Sequence, residues 1–279
     1  MNDYQEAFLK EGKINLDIEL TEKCNLHCRG CMAGCPLHDK NNCKDYDYNQ
    51  FHKDLCYLKS IGAKFGRINI SGSGEPSLVN DLHKYLSTIN EIFPDEFKTL
   101  NTNGVAIYKD LKKLSLFTQY NNFNLVLSGY GGLLKMDDIL IKQLNTLGIT
   151  AYYQYDKNGC PREKTVMHKT MTYAQPYFDQ KENYTRCKRR LIILKQSRIY
   201  PCLVCLSLKD RNRLFGTNYK DESVDLYSLK SNDDLLALEH WDNNKGVDLC
   251  RYCVLGNSEF EMIPWAPNYP VKREDYIRE

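Results

Sequence analysis

The sequence predicts an α/β protein: a partial (β/α)6 TIM-like barrel followed by a small cysteine-rich C-terminal module. Two observations support this fold class. Segments with the apolar alternation of strands take turns with segments of helical spacing over residues 14–155. The short polar, glycine-containing and cysteine motifs in that stretch come directly after strand patterns, which is where an α/β barrel has its active face. The alternation stops after about residue 186.

Five strands and four helices are predicted in the first part of the chain. The predicted strands cover residues 14–20, 67–71, 97–102, 123–128 and 149–155. The predicted helices cover residues 49–61, 78–93, 105–116 and 135–147. We expect a sixth strand within residues 158–186, then a hairpin over residues 191–202 and a short helix over residues 232–240. The chain thus divides into a barrel (14–182), a cysteine-bearing module (183–256) and a tail (257–279).

Composition narrows the classes of function. The chain has 279 residues, a net charge of +2 and twelve cysteines. This balanced charge creates no strong field for nucleic acid or a membrane surface, and we expect neither as a partner. The sequence shows no export signal and no apolar run long enough to span a membrane. We therefore expect a cytoplasmic protein whose grouped cysteines bind metal rather than form disulfides.

The most informative residues are three cysteines in one short loop after the first strand. Cys24, Cys28 and Cys31 have the spacing C-x3-C-x2-C. Three thiolates can hold three irons of a [4Fe–4S] cube and leave the fourth iron open to another molecule. Zinc is the alternative metal, with Cys35 or His27 completing its four ligands, and a group of unrelated buried thiols is the third possibility.

This cysteine loop resembles the signature of the radical SAM superfamily. The resemblance implies that the open iron binds the amino and carboxylate groups of S-adenosylmethionine (SAM). It further implies that one-electron reduction yields a 5'-deoxyadenosyl radical, which abstracts a hydrogen atom from the substrate, and that the fold is a partial barrel. The resemblance extends over residues 14–253. A weaker similarity is to radical SAM proteins encoded among surface-polysaccharide genes.

A glycine-containing motif after the second strand supports the resemblance. The run Ser71-Gly72-Ser73-Gly74-Glu75-Pro76 is similar to the Gly-Gly-Glu-Pro motif of the superfamily, with Ser73 in place of the first of the paired glycines. By this resemblance Gly72, Gly74 and Glu75 bind the methionine part of SAM. Taken alone, such a run is more often an ordinary loop.

Three more residues are expected at the SAM site by resemblance. Asn103 lies in a Thr-Asn-Gly sequence that recurs after the third strand in many members, although an ordinary Asn-Gly turn is the alternative. Ser128 ends the fourth strand, where relatives often have Ser-x-Asp, but Tyr130 replaces the aspartate here. Gly30 precedes the third cysteine, where many relatives carry an aromatic residue near the adenine, so only its backbone can serve.

The downstream cysteines predict a second metal site. The first two have the spacing C-x9-Ser-x4-C, similar to the hairpin motif of SPASM and twitch domains, with Ser197 where glycine is usual. A later C-x2-C pair completes the set, and the resemblance to the twitch version implies an auxiliary [4Fe–4S] cluster. The four expected ligands are Cys187, Cys202, Cys250 and Cys253. Cys205 is an alternative to Cys202, and tetrahedral zinc is the alternative metal.

Other cysteines and a basic run have less certain roles. Cys160 follows the fifth strand on the predicted active face, where a thiol can donate a hydrogen atom; an inert loop cysteine is the alternative. Cys56 falls in a helical pattern and is expected to be buried packing. The basic residues within 186–190 form either a solvated face or a contact for phosphate groups.

These observations together predict an enzyme that reductively cleaves SAM and oxidises or epimerises a small-molecule substrate. A sugar or nucleotide sugar is the first hypothesis for the substrate, and a ribosomal peptide is the second. A non-catalytic zinc or redox-sensing protein is the alternative of a different class. The resemblance also implies a reductant of the flavodoxin or ferredoxin type. Oxidation would pass a second electron to the auxiliary cluster, whereas epimerisation would need a hydrogen donor such as Cys160.

Overall fold

The computed structural model describes the chain from residue 14 to residue 279 with gaps. The described residues are 14–106, 123–128, 142, 144–146, 149–153, 166–168, 172–187, 191–239, 245–254, 262–264 and 266–279. The predicted helices over 105–116 and 135–147 lie largely outside these ranges, and Cys160 lies wholly outside them.

An eight-stranded sheet organises the described residues. Five of its strands follow one another in chain order and pair in parallel. They are β1 (Ile14–Ile18), β2 (Phe65–Ile70), β3 (Phe97–Thr102), β4 (Phe123–Leu127) and β5 (Ala151–Tyr153). All five fall where strands were predicted, and the parallel sheet confirms the predicted α/β fold class.

Strand β1 shows how the sequence pattern becomes an apolar face and a polar face. Leu16 and Ile18 are fully buried in the main hydrophobic core. Between them, Asp17 is also buried and pairs with Arg67 of β2 (Oδ1 to Nη2, 3.2 Å). Because successive side chains of a strand point to opposite faces, Asp17 lies on the other side of the sheet. Ser71, just after β2, donates to Asp17 Oδ2 at 2.9 Å, so this polar face continues to the carboxyl ends of the strands.

Two helices precede the second and third strands along the chain: α1 (Tyr48–Ser60) comes before β2, and α2 (Leu82–Ile92) comes before β3. Asp47 caps α1 by accepting a hydrogen bond from the Gln50 backbone N–H at 2.9 Å. The buried face of α1 includes Phe51, Leu55 and Leu58, as the spacing predicts. The expectation that Cys56 is buried is wrong: it is exposed, because its position lies off the stripe formed by these three residues.

The predicted hairpin consists of β8 (Ile192–Lys195) and β9 (Arg198–Tyr200), followed by β10 (Val224–Asp225). Strand β8 pairs in parallel with β1, so the hairpin extends the sheet of the first part of the chain. The strand order of the whole sheet is β10-β9-β8-β1-β2-β3-β4-β5. Ser197 occupies the turn at a φ of 61°. Its hydroxyl donates to Asp54 Oδ2 at 2.9 Å and its N–H to the Tyr46 hydroxyl at 2.8 Å, which stabilises a conformation that usually favours glycine.

The remaining strands pair with the end of the chain. Strand β6 (Val166–His168) pairs with β11 (Met262–Pro264), and β7 (Thr172–Tyr173) pairs with β12 (Ile277–Arg278). Both β6 and β7 fall within the stretch where a sixth barrel strand was expected, but neither joins the eight-stranded sheet. The structure also describes the helices α3 (Gln180–Arg186), α4 (Leu208–Phe215) and α5 (Asn232–Glu239), the last of which was predicted. Across the described ranges, no helix is both long and apolar enough to cross a membrane.

Candidate active site

A polar cavity of about 140 Å³ lies at the carboxyl ends of β1 to β4. Many of the residues expected at the first cluster and at SAM line it. They are Cys24, Cys28, Cys31, Gly72, Gly74, Glu75, Asn103 and Ser128. These residues come from the loops after four strands, which the parallel sheet brings to one edge. Gly30, at a φ of 63°, is not among the described residues that line the cavity.

The cysteine loop folds into consecutive turns along one wall of this cavity. The N–H of Cys31 donates to the Cys28 carbonyl at 3.2 Å, and that of Gly34 donates to the Cys31 carbonyl at 2.9 Å. Cys28 is 7% exposed, and Cys24 and Cys31 are partly buried. Burial raises the pKa of the Cys31 thiol. Three thiols with cluster-type spacing therefore share one enclosed space.

A fourth cysteine, Cys35, belongs to the same cavity. It is buried, and its thiol forms a hydrogen bond with Cys24. This bond is the main cause that lowers the pKa of Cys24, to about 7, against the opposing effect of burial. The sequence indicated Cys35 only as a zinc ligand. The signal that could have placed it in this cavity is its spacing, since it follows Cys31 by four residues, about one further turn of the loop.

Glu75 joins the loop after β2 to the loop after β3. Its Oε1 accepts hydrogen bonds from the hydroxyls of Ser77 and Thr102, each at 2.5 Å. Its Oε2 accepts the backbone N–H of Asn103 at 2.7 Å. Burial raises the pKa of Glu75, although these hydrogen bonds oppose the shift. The carboxylate therefore holds two walls of the cavity at a fixed separation.

Gly74 marks the closest approach between the β2 loop and the cysteine loop. A Cβ at this position would lie 2.1 Å from the Thr21 carbonyl oxygen and 2.7 Å from the Lys23 carbonyl oxygen. The next N–H, of Glu75, donates to the same Lys23 carbonyl at 2.7 Å. Because both obstacles are backbone atoms, only glycine fits at residue 74.

Asn103 and Ser128 connect the loops on the far side. The Asn103 side-chain amide donates to Asn25 Oδ1 at 2.8 Å, which links the β3 loop to the cysteine loop. The Ser128 N–H donates to the Thr102 carbonyl at 2.8 Å. The four loops around the cavity are thus connected by hydrogen bonds between neighbours.

The second set of cysteines surrounds another, smaller cavity of about 60 Å³. It is lined by all four expected ligands, which are Cys187, Cys202, Cys250 and Cys253, together with mostly apolar side chains. The Asn183 side chain donates to the carbonyls of Cys250 and Cys253 at 2.6 and 2.7 Å, which fixes the C-x2-C turn. Burial raises the pKa of Cys250. Cys205 is buried beside this set, with its sulfur 3.5 Å from that of Cys202.

The donor set fits iron–sulfur clusters at both sites. Soft thiolates are the ligands that such clusters prefer, and each cavity has at least three. Among the residues that the structure describes, no three His, Cys, Asp or Glu side chains are grouped as for a single metal ion.

Sequence reasoning missed the part of the tail that fastens the first cysteine loop. Arg29 donates from Nε and Nη2 to Asp275 Oδ1, at 2.9 and 2.7 Å. The Arg29 N–H also donates to the Ala266 carbonyl at 2.9 Å, and its guanidinium lies 4.6 Å from the centre of the Tyr269 ring. Local patterns contain no signal for these contacts, because they join residues about 240 positions apart.

A buried arginine of α4 fastens this helix to the tail. Arg211 donates from Nη1 to the Tyr276 carbonyl at 3.0 Å and from Nε to the Ser207 hydroxyl at 3.2 Å. Burial lowers the pKa of Arg211, and the neighbouring Tyr219 and Tyr276 oppose this shift. Helix α4 is therefore held against the same tail that contacts the first cysteine loop.

Two predicted features fall partly or wholly outside the described residues. Cys160 lies outside them, so its role stays a prediction. Of the basic run, Arg186 is exposed and pairs with Glu182 one helical turn earlier, whereas residues 188–190 lie outside the described ranges.

Comparison with known proteins gives partial sequence matches. No protein-family model matches the chain. It is 32% identical over 100 residues to the GTP 3',8-cyclase of Clostridium perfringens strain 13. The aligned residues cover 36% of this chain and 30% of that protein. It is also 26% identical over 164 residues to the GTP 3',8-cyclase of Clostridium acetobutylicum. This second alignment covers 49% of this chain and 50% of that protein. The matches therefore span from about a third to half of these relatives' length.

One solved structure shares the fold over most of its length. This is the crystal structure of BtrN in complex with AdoMet and 2-DOIA, which matches with a TM-score of 0.52. The match covers 86% of this chain and 92% of that chain at 15% sequence identity. At this level of identity the likeness is one of fold.

Proposed function

We propose that this chain, a member of the radical SAM superfamily, reductively cleaves SAM and abstracts a hydrogen atom from a small-molecule substrate. The cysteine loop, the sequence similarity to GTP 3',8-cyclases and the shared fold support this membership. A [4Fe–4S] cluster held by Cys24, Cys28 and Cys31, with one open iron, supplies the electron for this cleavage when bound.

One observation carries the proposal: the expected ligands of the cluster and of SAM line the same cavity. The motifs after β1, β2, β3 and β4 are up to about a hundred residues apart in sequence. Their convergence on a single space of about 140 Å³ is what a site for a cluster and an adjoining cofactor requires.

The side chains around this cavity have positioning roles. Glu75 fixes the separation of the β2 and β3 loops, and Asn103 ties the β3 loop to the cysteine loop. Gly74 lets the β2 loop lie against the backbone of the cysteine loop. A site held in this way orients the bound methionine before reaction, which lowers the entropy lost on reaching the transition state.

For the substrate, we propose a polar molecule rich in hydroxyl groups, with a sugar or nucleotide sugar first. The polar face of the sheet supports this choice, since Asp17, Arg67 and Ser71 form a hydrogen-bonded group that adjoins the cavity through Ser71. The GTP 3',8-cyclases are named for a different substrate, a nucleoside triphosphate, so the choice of a sugar rests on this polar face and on the sequence resemblance. Peptide modification is the alternative outcome.

The second cysteine site supports oxidation as the outcome at the substrate carbon. Four thiols around one apolar cavity would ligate a cluster fully, and such a cluster can accept the second electron of an oxidation. Epimerisation would instead need a hydrogen donor, for which Cys160 is the candidate from the sequence. Turnover in deuterated water separates the two outcomes. Oxidation yields a product two mass units lighter than the substrate, whereas epimerisation places a solvent deuteron on a non-exchangeable carbon of the product.

The experiment that tests the function measures metal and SAM cleavage together. Protein reconstituted anaerobically should contain about eight irons with matching sulfide and should form 5'-deoxyadenosine with a strong reductant. Replacing Cys24, Cys28 and Cys31 with Ala should abolish cleavage and leave about four irons. The matched control is Cys56→Ala, which removes an exposed cysteine and should change neither quantity.

Two results would contradict the proposal. SAM cleavage that persists in the triple variant would show that the first loop does not hold the reactive cluster. Two zinc ions per chain without sulfide, in protein made anaerobically with iron, would favour the zinc or redox-sensing alternative.

A further inference from the structure

Ser73, which stands where the superfamily motif has glycine, is anchored to a buried carboxylate. Its backbone N–H donates to Glu19 Oε2 at 2.7 Å, and its hydroxyl donates to the same oxygen. Glu19 lies between β1 and the cysteine loop and is only 2% exposed. One carboxylate oxygen therefore binds both the backbone and the side chain of the residue that departs from the motif.

The same glutamate also packs against the preceding residue of the loop. Gly72 has a φ of 136°, and a Cβ there would lie 2.7 Å from Glu19 Cγ. Gly72 and Ser73 both line the candidate SAM cavity. The position of the Glu19 side chain thus determines where two consecutive residues of the cavity wall lie.

Glu19 is in turn held by a lysine from the β8–β9 hairpin. Lys195 Nζ lies 2.7 Å from Glu19 Oε1 and 2.7 Å from Glu22 Oε1, and its side chain is 11% exposed. Burial lowers the pKa of Lys195, but the two carboxylates raise it further, so that it lies above its ordinary value and the amine stays charged. A single buried cation therefore compensates two carboxylates next to the cysteine loop.

We propose that Lys195 is a positioning residue for SAM: its ammonium group holds Glu19, and Glu19 holds Gly72 and Ser73 where they receive the methionine part. This inference rests on the proposed function, because it assumes that SAM binds in this cavity. Without the lysine, Glu19 would lose the cation beside it. A buried carboxylate without its cation is costly, so the Glu19 side chain would turn toward solvent and release Ser73.

The contact also links the two cysteine sites. Lys195 belongs to the hairpin between Cys187 and Cys202, and β8 pairs directly with β1. Any change that displaces this hairpin moves the anchor of the SAM loop. The affinity for SAM is therefore expected to depend on a residue that lies outside the SAM cavity.

The test measures SAM binding by equilibrium dialysis on anaerobically reconstituted protein of known iron content. Lys195→Met removes the charge and keeps much of the side-chain length; we expect it to raise the Kd of SAM by about tenfold or more, since 1.4 kcal/mol corresponds to a factor of ten. Lys195→Arg keeps the charge and should stay within about threefold of the wild type. Iron content should not change in either variant.

Controls separate this role from a general loss of stability. Lys220→Met removes an exposed lysine that lies 3.8 Å from Glu222, and should leave the Kd unchanged. Glu19→Gln should weaken SAM binding as Lys195→Met does. The double variant should bind SAM no more weakly than either single variant, because the two residues act through the same series of contacts. Ser73→Ala, which removes only the hydroxyl, should weaken binding about threefold and serves if the Lys195 variants do not fold.

The outcomes are distinguishable. A wild-type Kd in Lys195→Met or, if that protein does not fold, in Ser73→Ala overturns the inference, as do additive effects of Glu19→Gln and Lys195→Met. A wild-type protein that holds its clusters but binds no SAM overturns the proposed function itself, before any variant is compared.

Discussion

The contact between the tail and the first cysteine loop leads to a stability prediction that can be worked out from the structure. Arg29 lies between two cysteines of the loop, and Asp275 accepts two hydrogen bonds from it. The Asp275 side chain is 0% exposed and that of Arg29 is 22% exposed. The perturbation is Asp275→Ala, which leaves a mostly buried guanidinium without this carboxylate.

The expected magnitude follows from the burial of the pair. Removing one partner of a fully buried ion pair costs about 3–5 kcal/mol. Because water reaches part of Arg29, we reduce this to about 2–3 kcal/mol for Asp275→Ala. A chain of this size changes its Tm by roughly 2–4 °C per kcal/mol, so the Tm should fall by about 4–12 °C. Asp275→Asn keeps a neutral acceptor and should cost about half as much.

The assay is thermal unfolding followed by circular dichroism, on anaerobic protein matched for iron content. The control is Glu279→Ala, which breaks the exposed pair between Arg273 and Glu279 in the same tail and should shift the Tm by less than about 2 °C. We also expect Asp275→Ala to lose iron faster from the first site, because Arg29 belongs to that loop. A Tm for Asp275→Ala that equals the control's would refute the reasoning.

Three further predictions concern the two cavities and their surroundings. Gly74→Ala should abolish SAM binding or folding, because its Cβ would lie 2.1 Å from the Thr21 carbonyl oxygen; dialysis and circular dichroism check this. Burial raises the pKa of Asp210, but its hydrogen bond with His38 and other interactions lower it below the ordinary value of about 3.9. The ionised Asp210 carboxylate should therefore stabilise the fold fully at pH values above about 3.9, and this contribution should be lost as the pH falls through the lowered pKa. Asp210→Asn should accordingly flatten the acid limb of a plot of Tm against pH. Cys250→Ala should remove about four irons and lower the Tm, since metal binding at such sites is coupled to folding; full iron content would contradict the ligand assignment.

Local patterns in the sequence determined much of the fold and many candidate residues of the site. The alternation in β1 and the helical spacing of Phe51, Leu55 and Leu58 predicted the strand and the helix, because both patterns depend on residues close in sequence. The positions of the motifs after strands predicted that they would meet, since parallel strands end at one edge of a sheet. Where the pattern was weaker the prediction was wrong, as with Cys56, which lies just off the buried stripe of its helix.

The tertiary structure alone decided which distant residues support the site. The pairing of β8 with β1 places Lys195 beside Glu19, and the path of the tail places Asp275 beside Arg29. A charged residue has the same local signature whether it faces water or a buried partner, so the sequence predicted neither pair. Periodicity reports which face of an element is apolar, but the partner across a contact depends on strand order and register, which are determined only when the whole chain packs.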